Sequence, residues 1–179
     1  GRIEMIDDDH AAVVERNLDR METIIEDVLT LARQDESVED TESVDLGALA
    51  TECWDAVETA DATLSTDDGM VIEADRSRCR QLLENLIRNA VEHGREDVSV
   101  RVGRLAEEGG FYIEDDGPGI PEDERGSIFE MGYTTNDEGT GFGLSIVAEI
   151  AEAHGWTVGV TESDAGGARF EFTGVELLS

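Results

Sequence analysis

Residues 115–143, DDGPGIPEDERGSIFEMGYTTNDEGTGFG, decide how this chain is read. The stretch opens at the end of a strand pattern and closes at the start of a helical one. Phe111, Ile113 and Asp115 fall on one face of that strand, because side chains alternate with period two. This places a carboxylate on the apolar side. An unpaired buried charge is costly, so the acid needs a partner, and the amino group of a ligand would serve. Gly117 and Gly119 let the backbone turn and approach another group closely. At the far end Gly139, Gly141 and Gly143 lead into an amphipathic helix through Leu144, Val147, Ala148 and Ala151. Backbone N–H groups at such a helix start suit phosphate oxygens.

Working outward, Asp75 is an N-cap for a helix through Leu82, Leu83, Leu86, Ile87, Ala90 and Val91. Asn85 and Asn89 stand four apart on one edge of its apolar face. Asparagine is a weak helix former, so the pair is either a set of surface amides or a source of side-chain oxygens for a hard cation such as Mg2+. Asp45 caps an earlier helix through Leu46, Leu49, Ala50, Cys53, Trp54 and Val57. Short strands are expected at 62–65, 70–73, 98–105 and 110–115, and two closing strands at 156–161 and 168–173, joined by a turn at 164–167. Helices mixed with mostly antiparallel strands indicate an α+β fold, a two-layer α/β sandwich with helices on one sheet face. Ahead of it, residues 3–33 lack Gly and Pro, and Val14, Leu18, Met21, Ile25, Val28 and Ala32 step by four and three, as in a coiled-coil seam. Polar residues 34–43 read as a linker.

The charge is the anomaly of the composition. Among 179 residues there are 44 acidic and 13 basic side chains, every basic one is Arg, and the net charge is -31. The acids are spread evenly between periodic apolar positions, which indicates a folded protein whose acidic shell is screened by concentrated salt, where the Debye length is about 3 Å at 1 M. The composition resembles that of proteins from salt-accumulating halophilic archaea. It argues against binding to nucleic acid or to an anionic membrane, which need basic patches. Cys53 and Cys79 lie in helical patterns without metal-ligand spacing and are expected as core thiols in a reducing, cytoplasmic setting. No apolar run reaches membrane-spanning length.

Taken in order, ENLIRNAVEHG at 84–94, DDGPGIP at 115–121, SIFEMGYTT at 127–135 and GTGFGLSIV at 139–147 resemble the asparagine box, first glycine box, phenylalanine-containing box and second glycine box of the ATP-binding catalytic domain of two-component sensor histidine kinases. That domain belongs with the gyrase, heat-shock chaperone and mismatch-repair ATPases. The resemblance covers about residues 44–174. It implies ATP and Mg2+ as cofactors, Asn89 as a Mg2+ ligand, and Asn85 in support of metal and phosphates. It further implies that Asp115 accepts the adenine amino group, with Gly117, Gly119 and Ile120 beside the base. Thr140, Gly141, Phe142, Gly143 and Leu144 would wrap the phosphates, and 121–138 would form a lid anchored by Phe129.

Asn85 separates two activities of that superfamily. The hydrolases carry a glutamate base at that position, whereas an amide is a poor base, which favours phosphoryl transfer. Glu84, one residue earlier, points about 100° away around a helix. The sequence departs from the family's pattern at Glu92 and Asn136, where a cation is common, and at His93, where an aromatic is common; Arg125 is the lid's only cation. By the same resemblance the phosphoacceptor histidine is followed closely by an acid and later by a proline, a context that none of His10, His93 and His154 has. By resemblance, 1–34 is the second helix of a dimerisation and phosphotransfer hairpin, 35–44 a linker and 45–179 the catalytic domain. The expected partners are the phosphoacceptor helix, a second copy in a homodimer, and a response-regulator receiver domain. A kinase-inactive ATP-binding interaction module is the alternative.

Overall fold

The computed structural model describes residues 38, 40–57, 61–93, 97–106, 109–130 and 143–178, with scattered positions between 11 and 29. Strand β1 (Glu42–Asp45) is followed by helix α1 (Leu46–Ala56), strands β2 (Thr63–Thr66) and β3 (Val71–Ala74), and helix α2 (Arg76–His93). Strands β4 (Ser99–Arg104) and β5 (Gly110–Asp115), helix α3 (Gly143–Ala153), and strands β6 (Thr157–Glu162) and β7 (Ala168–Thr173) complete the order.

The main sheet runs β2-β4-β5-β7-β6, with β2 parallel to β4 and the remaining pairs antiparallel. Period-two alternation explains why helices cover one face. Val100, Val102, Phe111, Ile113, Phe170 and Phe172 are buried against Leu82, Leu86, Ile87, Ile146 and Ile150 of the helices. Phe111 stacks on Phe172 with centroids 4.7 Å apart. The other face is polar: the Arg169 guanidinium lies 3.9 Å from the Tyr112 ring centroid and its Nη1 donates to Glu114 at 3.1 Å. This is the expected α+β sandwich.

The caps follow the sequence. Asp45 accepts from Ala48 N–H at 3.1 Å, and Asp75 from Arg78 N–H at 3.2 Å, so each carboxylate satisfies a helix-start donor. Helix α3 ends in a Schellman motif: Gly155 has φ of 77°, its N–H reaches Glu152 O at 3.0 Å, and Trp156 N–H reaches Ala151 O at 2.8 Å.

Strand β1 is a departure from the expected linker, since Glu42 to Val44 pair antiparallel with Ala74 to Ile72 of β3. Val44 is fully buried, and that single apolar contact outweighs the polar composition of its neighbours. The chain's end adds to the same small sheet, where Ile72 bridges Leu177. The described residues between 11 and 29 are helical, and Val14, Leu18, Met21, Ile25 and Val28 are exposed. Ala32 lies outside the described residues.

Candidate functional site

Burial singles out the site before any motif is invoked. The core is apolar, and the buried polar or charged residues among those described are Asn85, Asp115, Ser145 and Ser163. A buried polar side chain is the informative exception in such a core.

Asp115 ends the central strand β5 and is 8% exposed. Its Oδ1 accepts from Gly117 N–H at 2.9 Å and from Ala168 N–H at 3.3 Å. These two backbone donors support its negative charge and fix the plane of the carboxylate. A second loop braces it from behind. Ser163 Oγ donates to the Asp115 carbonyl at 2.8 Å while accepting from Gly167 N–H at 2.8 Å. The fit leaves no room for side chains: a Cβ on Gly167 would stand 2.1 Å from Asp115 O, and one on Gly119, at φ of 76°, would stand 2.7 Å from Gly166 O. Asp116 points elsewhere and accepts from Ser99 N–H at 2.8 Å. Alternation along β5 thus gives the paired acids different tasks.

Ile120 packs partly buried against the core, and its carbonyl accepts from Arg125 Nε at 3.1 Å. Arg125 therefore fastens the base of the expected lid. Ile128 is fully enclosed and Phe129 meets Phe170 edge-on at 6.2 Å, so 121–130 is anchored as the sequence suggests. Residues 131–138, including Asn136, lie outside the described residues.

The asparagine helix and the glycine-led helix meet at the site. Asn85 is 8% exposed, and its Nδ2 donates to Gln81 O at 2.8 Å. That bond turns Oδ1 toward Gly143, where a Cβ would come within 3.4 Å. Asn89 is half-buried one turn further on, and Leu144 is half-buried beside the core. Glu84 faces the other way and accepts from Arg80 Nε at 3.1 Å, so it does not replace the missing base. Gly139, Thr140, Gly141 and Phe142, His10, and the side chain of His93 lie outside the described residues; Glu92 is exposed. No cluster of three or more His, Cys, Asp or Glu side chains suited to a metal occurs among the described residues.

The sequence reading missed Ser163, Gly166 and Gly167, taking 164–167 only as a turn. The paired glycines directly before a strand were the available signal, since they permit close backbone approach. Cys53 and Cys79 are buried free thiols, as expected. Burial first, then nearby Glu84, pushes Cys53 up to about 12, and burial first, then Cys53, pushes Cys79 up to about 12. No helix among the described residues is long and apolar enough to cross a membrane.

With a held carboxylate at the end of β5 and Asn85 beside the glycine start of α3, comparison with known proteins identifies the class. The chain belongs to the histidine kinase-, DNA gyrase B-, and HSP90-like ATPase family, which it matches over residues 74–176. Within that family its resemblance is to the ATP-binding catalytic domain of sensor histidine kinases. It is 34% identical over 159 residues to the signal transduction histidine-protein kinase AfsQ2 of Streptomyces coelicolor, covering 84% of this chain and 30% of that protein. It superposes on full-length ShkA in complex with AMPPNP with a TM-score of 0.74 and 29% identity, over 90% of this chain and 37% of ShkA. The ATP-binding domain of PrrB from Mycobacterium tuberculosis gives a TM-score of 0.62 and 28% identity, over 79% of this chain and all of that one. The chain spans less than half the length of the curated relatives it matches. These relatives are bacterial, so the archaeal source suggested by composition gains no support from them.

Proposed function

We propose that this chain is the catalytic portion of a sensor histidine kinase, which binds Mg-ATP and transfers the γ-phosphate to a histidine for relay to an aspartate of a response-regulator receiver domain. One observation carries the reading: the only buried charged side chain among the described residues, Asp115, is held by backbone donors at a strand end. A carboxylate so fixed suits the exocyclic amino group of adenine and repels the carbonyl oxygen that guanine carries at the same position. Gly117, Gly119 and Ile120 would border the base. Asn85, Asn89, Thr140, Gly141, Phe142, Gly143 and Leu144 would hold the phosphates, with Asn89 offering its oxygen to the metal. Bound Mg2+ would neutralise the charge that develops on the transferring group.

The chain's own part is positioning. The Asn85 oxygen would face the metal that accompanies the phosphates, and the N–H groups at the start of α3 would set the phosphates in line with an imidazole nitrogen. Its lone pair forms the N–P bond as the bond from the γ-phosphorus to the bridging oxygen breaks, and ADP leaves with those electrons. An amide at 85 leaves water without a base, so transfer outruns hydrolysis. His154 is unsuited as the phosphate acceptor, because both its ring nitrogens are engaged, one by Asp75 N–H at 3.0 Å and one by Ile150 O at 2.7 Å.

The exposed apolar positions between 14 and 28 support a helix that packs into a dimeric four-helix bundle, making 1–34 part of a dimerisation hairpin. Residues 35–44 would join it to the catalytic unit at 45–179, the last of them already paired in β1. The charge of -31 supports a cytoplasmic protein adapted to concentrated salt, as in halophilic archaea.

The test uses the whole protein in concentrated KCl with γ-labelled ATP and Mg2+. An acid-labile, base-stable phosphate that disappears in Asn89→Ala is expected. Nucleotide binding without any label would replace the kinase by an ATP-binding interaction module, the reading to which the exposed acid Glu92 in the asparagine helix lends itself.

A further inference from the structure

His154 joins the two helices that carry the site, at the end away from Asn85. It is the residue at which α3 terminates, immediately before the Gly155 turn. Its Nδ1 lies 2.7 Å from Ile150 O of α3, and its Nε2 lies 3.0 Å from the backbone N–H of Asp75, the N-cap of α2. A carbonyl can only accept and an amide N–H can only donate, so this geometry selects the neutral ring with its proton on Nδ1. The imidazole is stacked on Trp156, with centroids 4.2 Å apart and 23° between planes, which fixes its direction.

The placement matters because α2 and α3 pack against each other, with Asn85 facing Gly143 and His154 accepting from the N-cap Asp75. From Asp75 to Asn85 is about 15 Å of helix, and from Gly143 to His154 is about 16 Å. The Asn85–Gly143 approach therefore closes one end of an antiparallel pair, and the His154–Asp75 bond closes the other.

We propose that His154 is a positioning residue for nucleotide binding: as the neutral Nδ1–H form it clips the end of α3 to the start of α2, and protonation of Nε2 opens the clip and lowers nucleotide affinity. The affinity half of this rests on the nucleotide site proposed above. A proton on Nε2 would face the Asp75 N–H, two donors with no acceptor between them, and the ring would have to turn off Trp156 or the helices part.

The surroundings set the direction. Burial is the largest influence and lowers the pKa of His154 below its ordinary 6.5; the hydrogen bond to Ile150 O and the Asp75 carboxylate work against it, and Arg78 works with it. Those two side chains, both from the start of α2, are the charged groups acting on the ring. A depressed pKa means that the folded state binds fewer protons than the unfolded one below pH 6.5. The contribution is thus complete above the unfolded pKa and is lost as pH falls through the folded one.

The test compares wild type with His154→Gln, whose amide oxygen accepts from Asp75 N–H at any pH, at constant ionic strength. Wild-type affinity for ADP should fall roughly five-fold, the equivalent of one net hydrogen bond, as pH is lowered below the ordinary imidazole range until the ring protonates, while the Gln variant follows a flatter profile. In parallel, imidazole 15N shifts should report a protonated Nδ1 and a bare Nε2 at neutral pH, and the protection of the Asp75 amide relative to its intrinsic exchange rate should fall on acidification in wild type alone. Superimposable pH profiles, or an Nε2–H tautomer, would overturn the proposal. Failure to bind nucleotide at any pH would overturn the site assignment and the affinity half with it, whereas the tautomer and the Asp75 exchange decide the clip independently.

Discussion

Replacing Gly167 by alanine tests how Asp115 is held. The new Cβ would stand 2.1 Å from Asp115 O and 2.5 Å from its Oδ1. The first obstacle is backbone of the central strand and the second a carboxylate oxygen held by the Gly117 and Ala168 N–H groups, so neither yields as a free side-chain end would. Overpacking a filled interior costs about 1–3 kcal/mol, and a site bounded by backbone belongs at the upper end. Relief requires the 163–167 turn to move away, which breaks the Ala168 N–H bond to Oδ1 and the Gly167 N–H bond to Ser163 Oγ. Each is worth about 1 kcal/mol net, and a total near 3 kcal/mol or more follows. At about 2–4 °C per kcal/mol for a chain of this size, the melting temperature should drop by at least about 6 °C. The control is Gly159→Ala in β6, where nothing lies within 4 Å of the new Cβ. Thermal unfolding and ADP titration at one fixed KCl concentration would compare the two. If Gly167→Ala melts with Gly159→Ala and binds nucleotide like wild type, the argument that this turn fixes the acid is wrong.

Further outcomes follow from the same geometry. Ser163→Ala removes both bonds of its Oγ and should cost about 1–3 kcal/mol, read by chemical denaturation; an unchanged midpoint would show that water replaces the hydroxyl. Asp115→Asn keeps an acceptor oxygen for Gly117 and Ala168, so it should weaken ATP binding in calorimetry much more than it lowers the melting temperature, and equal loss of both would count against the adenine assignment. With thiols pushed up to about 12, Cys53 and Cys79 should present about one thiolate in 10^4 at pH 8 and label only after unfolding; rapid labelling of native protein would contradict their burial. The net charge of -31 should make the melting temperature rise with KCl, and a flat response would sink the salt-screening argument.

Some of this architecture was legible because it is written locally. Asp45 and Asp75 cap the helices they precede, and β5 and β7 occupy the ranges that alternation predicts. The acid on the apolar face of β5 follows from the same period, and Asn85 and Asn89 from the helical one. In contrast, β1 was hidden in a polar stretch, because a four-residue strand with one buried side chain has no periodicity to detect.

By itself the sequence determined the order of elements, the boxes that place the chain in its ATPase family, and the choice of Asp115 and Asn85 as candidates. Those depend on side chains near one another along the chain, where period and residue type suffice. Only the tertiary structure decided what holds them. The Ser163–Gly167 turn reaches Asp115 across 48 residues, and His154 reaches Asp75 across 79. Such contacts arise from strand order and helix packing, and no local pattern encodes which distant backbone group a side chain will meet once the core closes.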